Sequence, residues 1–226
     1  MPRRITPVVL NIVIINFLVF LFINIYSENF TGSNPAWGKY FMLFKTGLVW
    51  DVPYTDYFKP VQLVASMFTH FDFLHIFFNM FTLVSLGTMV ESVMGRRDFL
   101  ILYLFSGLFG SILVALFDPS PSPVIGASGA LFGVFGAFAF YFPNLKLSLF
   151  FIPVGIKARH LVIGIAALSA AITVYNLIIE NSPGFWTSQS DPRILGGISH
   201  FGHLAGLGAG LLFLYRKKIL GIFKGR

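Results

Sequence analysis

Two side chains able to share a proton stand within sequence that is otherwise apolar. Ser128 lies in Gly126-Ala127-Ser128-Gly129 where one hydrophobic segment begins, and His203 precedes Gly206 and Gly210 near the start of another. Burying polar, ionisable groups at membrane depth costs free energy, so a serine and a histidine kept there read as functional groups. A hydroxyl is a weak nucleophile until a neighbouring base takes its proton, and an imidazole is the commonest base. The pair suits covalent acyl transfer. A third polar cluster, His70-Phe71-Asp72-Phe73-Leu74-His75-Ile76-Phe77-Phe78-Asn79, carries His75 and Asn79 four residues apart on one helix face, both able to donate hydrogen bonds. An amide and an imidazole aimed together between apolar neighbours suit an oxyanion site.

The elements that must position these groups are membrane helices. Hydrophobic residues make up 56% of 226 positions, charged residues 11%, and phenylalanine alone occurs 28 times, which no soluble core of this length needs. Apolar runs between breakers place spans near residues 8–26, 71–90, 99–117, 128–142, 161–179 and 198–215. The fold class expected is therefore all-α: a polytopic membrane protein with a bundle of six transmembrane helices, one membrane domain over residues 1–226. Cysteine is absent, which removes disulfides, thiolate nucleophiles and thiolate metal sites.

The formal charge of +7 raises the question of a nucleic-acid partner, and the placement of the basic residues answers it. With a cytoplasmic N-terminus, Arg3, Arg4, Arg96, Arg97, Lys146, Lys157, Arg159, Arg216, Lys217, Lys218, Lys224 and Arg226 share one side; Lys39, Lys45, Lys59 and Arg193 take the other. Twelve of sixteen on one side is the positive-inside pattern, with both termini and the basic tail 216–226 in the cytoplasm. The lipid bilayer, not nucleic acid, accounts for the charge. The basic start and apolar run of the first span imitate a signal peptide, but Tyr26-Ser27-Glu28-Asn29 offers no small-residue cleavage site, so it is expected to stay as an anchor. Residues 28–60, with Trp37, Trp50 and many breakers, read as an interfacial outer loop lying on the bilayer surface.

The fourth span is the odd one. From Ser128 to the Phe142-Pro143 break it covers about 22 Å at the helical rise, less than the roughly 30 Å hydrocarbon core. The stretch before it, from Asp118 to Ala127, is too rich in proline for regular helix. It must dip into the membrane, which backbone can do only where it lines a wet cavity. Ser128 then sits at a helix N-terminus below the outer surface, where free N–H groups favour developing negative charge. His203 enters from the same side in span six. Gly129 with Gly133, and Gly206 with Gly210, form two GxxxG pairs that let spans four and six approach backbone to backbone.

Blander readings compete. Considered alone, Gly-x-Ser-Gly is a packing motif, since small residues abound at membrane helix contacts. It is not the hydrolase elbow either, because residue 130 is Ala where that motif has Gly. His160, beside Lys157 and Arg159, reads as an interfacial anchor, His200 as a loop-end residue without a site role, and His70 as a cavity helper or a cap. No metal site is expected: His70 and His75 would be about 140° out of line on a helix, and His-Glu-x-x-His is absent. A transporter would place ionisable groups at mid-bilayer in several spans; here they gather at the outer ends of spans two, four and six.

Together, His70/His75/Asn79, Gly126/Ser128/Gly129 and His203/Gly206/Gly210 resemble the patterns His-x4-His-x3-Asn, Gly-x-Ser-Gly and His-x2-Gly-x3-Gly of the rhomboid intramembrane serine proteases. The resemblance, with a matching six-span layout, implies a Ser128/His203 dyad and an oxyanion site from Asn79, His75 and the Ser128 N–H. It implies substrates that are transmembrane-helix proteins, cut near their outer end, with no cofactor, in the inner cell membrane. Where the family often has a tyrosine packing on the catalytic imidazole, this chain has Phe132, which can stack but has no hydroxyl. Glu91, followed by Arg96 and Arg97, also resembles the family and takes a structural role. The alternative is a catalytically inactive rhomboid-like protein that binds membrane helices without cutting them; such a protein has no need of both Ser128 and His203.

Overall fold

A computed structural model describes residues 4–26, 38–48, 55–118, 122–149, 152–180 and 199–219. Trp37, Trp50, Arg3, Arg193, the glutamate and asparagine after the first span, and the tail beyond residue 219 lie outside the described residues. The helices run in the order α1 (Pro7–Tyr26), α2 (Gly38–Phe41), α3 (Gln62–Ala65), α4 (Phe73–Thr82), α5 (Thr88–Met94), α6 (Arg96–Phe117), α7 (Ser128–Tyr141), α8 (Ala158–Glu180) and α9 (His200–Ile219). Four stretches, Pro7–Ile25, Phe73–Met94, Arg96–Phe117 and Ala158–Ile179, are long and apolar enough to cross a membrane; Ser128–Tyr141 is apolar but shorter. Their outward residues, such as Leu18, Ile25, Phe77, Ile163 and Ile178, are exposed and apolar, a surface suited to lipid and not to water.

The fold is all-α, with one small exception to the sequence reading. Residues Lys146–Leu149 and Ile152–Lys157 pair as an antiparallel hairpin, β1 and β2, where only a connector was expected. The second apolar segment is also not one regular helix. A π turn over Leu83–Gly87 joins α4 to α5, and it falls where α1 and α7 pack on this span. Gly87 leaves room there: a Cβ would stand 3.2 Å from both Val9 and Phe99 side-chain carbons.

The first turn of any helix leaves backbone N–H groups without intrahelical partners. In α1 these donors meet a buried carboxylate: Glu91 in α5 accepts from the Val8 N–H at 3.1 Å and the Val9 N–H at 2.9 Å. A negative charge at a helix N-terminus is also favoured by the helix dipole. This single carboxylate fastens the first helix to the second apolar segment. It gives the structural role expected of Glu91 a physical content.

Helices α6, α7 and α9 form the centre of the bundle, with Phe99, Tyr103, Leu131 and Phe138 fully or nearly fully buried. Their approach is set by absent side chains. A Cβ on Gly206 would overlap the Gly129 carbonyl oxygen, and one on Gly210 would stand 2.6 Å from the Gly133 Cα. Gly110 of α6 reaches the same seam, its hypothetical Cβ 3.4 Å from the Gly202 carbonyl oxygen. Backbone contact of this kind is the small-residue packing that membrane helices use in place of a hydrophobic driving force. Gly208, by contrast, faces open space. Gly206→Ala is expected to lower the detergent melting temperature by several degrees, since overpacking costs about 1–3 kcal/mol. Gly208→Ala should leave it unchanged, and equal melting temperatures for the two variants would contradict this packing account.

Candidate active site

The loop before α7 is held from three directions. Leu43 and Val124 exchange both backbone hydrogen bonds at 2.9 Å, the Gly126 N–H donates to the Ser66 carbonyl at 2.9 Å, and the Ala127 N–H makes a longer contact of 3.4 Å to His70 Nε2. Lys45 Nζ adds a bond to the Ser122 carbonyl. The described part of the outer loop thus does more than cover a bilayer surface. Leu43, Phe44 and Lys45 are buried against the bundle and supply the partners that a non-helical segment at this depth requires.

Gly126 has φ +121°, a conformation that glycine adopts without the steric cost of a Cβ. A Cβ there would also sit 2.7 Å from His75 Nε2 and 3.8 Å from Asn79 Nδ2. The bend therefore brings the chain against the two donors of α4 immediately before Ser128. His70 lies before α4 and not on it, so the helical angle used above does not separate it from His75; the two rings meet edge to face with centroids 4.8 Å apart. Burial, and after it the His75 imidazole, push the His70 imidazole down to about 3, so it is neutral near pH 7 and Nε2 can accept from Ala127.

Ser128 is the first residue of α7, and its Oγ lies 2.9 Å from His203 Nε2. Three features fix the imidazole. Phe132, one turn along α7, stacks on it with centroids 4.1 Å apart and planes 11° from parallel. The His203 backbone N–H donates to the Ser199 carbonyl at 3.1 Å, which fixes the main chain that carries the ring. Ser199 Oγ in turn accepts from the Gly202 N–H at 3.0 Å and donates to Asp118 Oδ2 at 3.1 Å, so the end of α6 holds the start of α9.

Asn79 is buried, and its Nδ2 has no hydrogen-bond acceptor among the described residues. An unpaired buried donor is costly unless something else accepts from it, and here it faces the same cavity as Ser128. That cavity, about 450 Å³, is bordered by Asp72, His75, Asn79, Ser128, Ser199 and His203 among others. The structure brings Ser128, His203, His75 and Asn79 around one space, with Gly126 against His75 and Phe132 against His203. His70 stands behind Ala127, while Gly129 and Gly206 serve the helix seam.

Sequence reasoning missed His200, Ser199 and Asp118. His200 is not a loop-end bystander: it opens α9, is buried, and presents its ring edge to His203 with centroids 5.7 Å apart. Its spacing of three from His203 was the available signal, because i and i+3 share a helix face. Ser199, three residues before Gly202 and its N–H, fits the preference for serine at helix starts. Nothing local in the sequence connects Asp118 to it.

A multi-helix membrane bundle with a serine and a histidine joined across two helices is the class that fold and site define. The Rhomboid domain profile matches residues 57–217. This chain belongs to the rhomboid family. It is 40% identical over 102 residues to Rhomboid protein 1, mitochondrial, of Saccharomyces cerevisiae, covering 42% of this chain and 29% of that protein. It is 43% identical over 76 residues to Rhomboid protease GluP of Bacillus subtilis, covering 34% and 15% respectively. With RHOMBOID-like protein 4 of Arabidopsis thaliana it shares 32% identity over 151 residues, 67% of this chain and 32% of the relative. The chain thus spans under a third of the length of these relatives, and the family includes proteins named as proteases.

If stacking rather than a hydroxyl orients His203, Phe132→Ala should slow fluorophosphonate labelling of Ser128 by about tenfold, the scale on which a misplaced general base loses efficiency. Phe132→Tyr should retain most of it. Mass spectrometry of the labelled peptide reads both, and unchanged labelling of Phe132→Ala would remove the ring from the site.

Proposed function

We propose that this chain is an intramembrane serine endopeptidase. The observation that carries the reading is the 2.9 Å contact between Ser128 Oγ and His203 Nε2 on the wall of a cavity that also contains donor side chains. His203 takes the Ser128 proton as Oγ attacks the scissile carbonyl. The oxyanion is held by Asn79, His75 and the Ser128 N–H, the last reinforced by the start of α7. His203 then protonates the leaving amine, and water, activated by the same imidazole, hydrolyses the acyl-enzyme. No step needs a metal or cofactor.

Substrates on this reading are transmembrane segments of other proteins, cut near their outer end, because the dyad lies at the end of the bundle where α4, α7 and α9 all begin. The positive-inside distribution supports both termini in the cytoplasm, and the reading takes residues 1–226 as one membrane domain in the inner cell membrane. A helix-binding protein without catalysis has no use for a proton-sharing contact between Ser128 and His203, so the geometry favours the enzyme.

Purified protein should cleave single-span model substrates, with Ser128→Ala and His203→Ala each reducing the rate at least about 1,000-fold, as expected when a nucleophile or its base is removed. Gel analysis with mass-spectrometric mapping of the products reads the outcome. Cleavage surviving both substitutions would assign the activity to another protein.

A further inference from the structure

The cavity over Ser128 carries an uneven charge. Among the described residues its border consists of Phe71, Phe78, Val124, Ile125 and the polar groups named above, with one carboxylate, Asp72, and no lysine or arginine. A smaller space lined by Ser66, Ser111 and Ser128 has no Asp, Glu, Lys or Arg in its lining among the described residues. Asp72 is the N-cap of α4: its Oδ1 accepts the His75 N–H at 2.8 Å. Its side chain is exposed at the cavity mouth, and its second oxygen takes no hydrogen bond among the described residues. One oxygen therefore serves the helix, and the other is left for whatever enters.

We propose that Asp72 is a specificity-determining residue, selecting substrate segments that carry a lysine or arginine within a few residues of the scissile bond. The proposal rests on the protease reading above. A carboxylate is acceptor-only and bonds most strongly to cationic donors, so a basic side chain lying along the aromatic wall of Phe71 and Phe78 can place its head on the free oxygen and its stem against the rings. An acidic side chain at the same place meets like charge. The positive-inside rule makes such a test selective, because the outer flanks of most membrane segments are poor in lysine and arginine. A basic outer flank would distinguish a substrate from the bulk of membrane helices.

The structural role of Asp72 and its charge can be separated, since asparagine caps a helix as well as aspartate does. Three model substrates identical except for Lys, Gln or Glu two residues from the cleavage point should be cut by the wild-type chain in that order. The Lys to Glu ratio of kcat/KM should be on the order of tenfold, the scale of a modest pocket contact. In Asp72→Asn the ratio should fall close to one, and in Asp72→Lys it should invert. Raising salt should compress the wild-type ratio, because partly exposed charges are screened, and this readout holds even if a variant fails to fold. A wild-type ratio near one, or a ratio unchanged in a folded Asp72→Asn, would overturn the proposal. Binding of the three peptides to Ser128→Ala and to Ser128→Ala/Asp72→Asn decides the same point without catalysis. If the wild-type chain cuts none of the peptides, the protease reading fails, while a Lys preference in binding that vanishes with Asp72→Asn still upholds the charge selection and equal binding rejects it.

Discussion

The backbone contact between α7 and α9 is the constraint on which the rest depends. Two glycine pairs meet there, Gly129 with Gly206 and Gly133 with Gly210, at separations that a Cβ on Gly206 or Gly210 would not permit. A serine and a histidine on separate helices meet reproducibly only if those helices are held at one separation and register, and the glycine contact holds these two. Lipid tails are as apolar as leucine, so no hydrophobic force pulls membrane helices together. Contact between the helices is gained instead through dispersion, over a surface made flat by glycine. The 2.9 Å dyad distance is a consequence of that surface.

A second constraint is hydrogen-bond satisfaction. Ser128 stands at a helix start, where backbone N–H groups are free, and a helix that starts late leaves irregular chain within the bundle. Residues 122–127 are such a chain, and each anchor they use comes from elsewhere: Leu43, Lys45, Ser66 and His70. The outer segment and the short helices before α4 are therefore part of the site's support, although none of them need touch a substrate. The same logic appears at the opposite end, where Glu91 answers the free donors of α1. Polar side chains in this bundle mostly satisfy backbone that the fold has left open. Asn79 is among the exceptions, as are Thr88, Ser106 and His200: its buried amide donor meets no acceptor among the described residues.

Helix positions were legible because lipid imposes long apolar runs, and α1, α6 and α8 follow those runs closely. The Ser128, His203, His75 and Asn79 cluster was legible for the same reason, since polar groups stand out against apolar sequence. Less could be seen where spacing was interpreted as if a helix were already present. His70 and His75 were assigned an angle on a helix that begins only at Phe73. His200 reads as a loop end although the apolar segment 198–215 contains it, because hydropathy does not say where inside such a segment the first helical turn begins. The π turn at Leu83–Gly87 and the hairpin after α7 had no composition signal, being decided by what packs beside them.

The sequence by itself determined that the chain belongs in a membrane, how it is divided into helices, and which few side chains are chemically out of place. Those follow from solvent: the bilayer tolerates only apolar surface and paired backbone, and both are written residue by residue. Tertiary structure alone decided which of the polar side chains share a space. Ser128 and His203 are 75 residues apart, Asp118 and Ser199 are 81 apart, and Val8 and Glu91 are 83 apart. No local preference encodes such pairs. They exist because close-packed helices admit very few arrangements, and the glycine seam selects one.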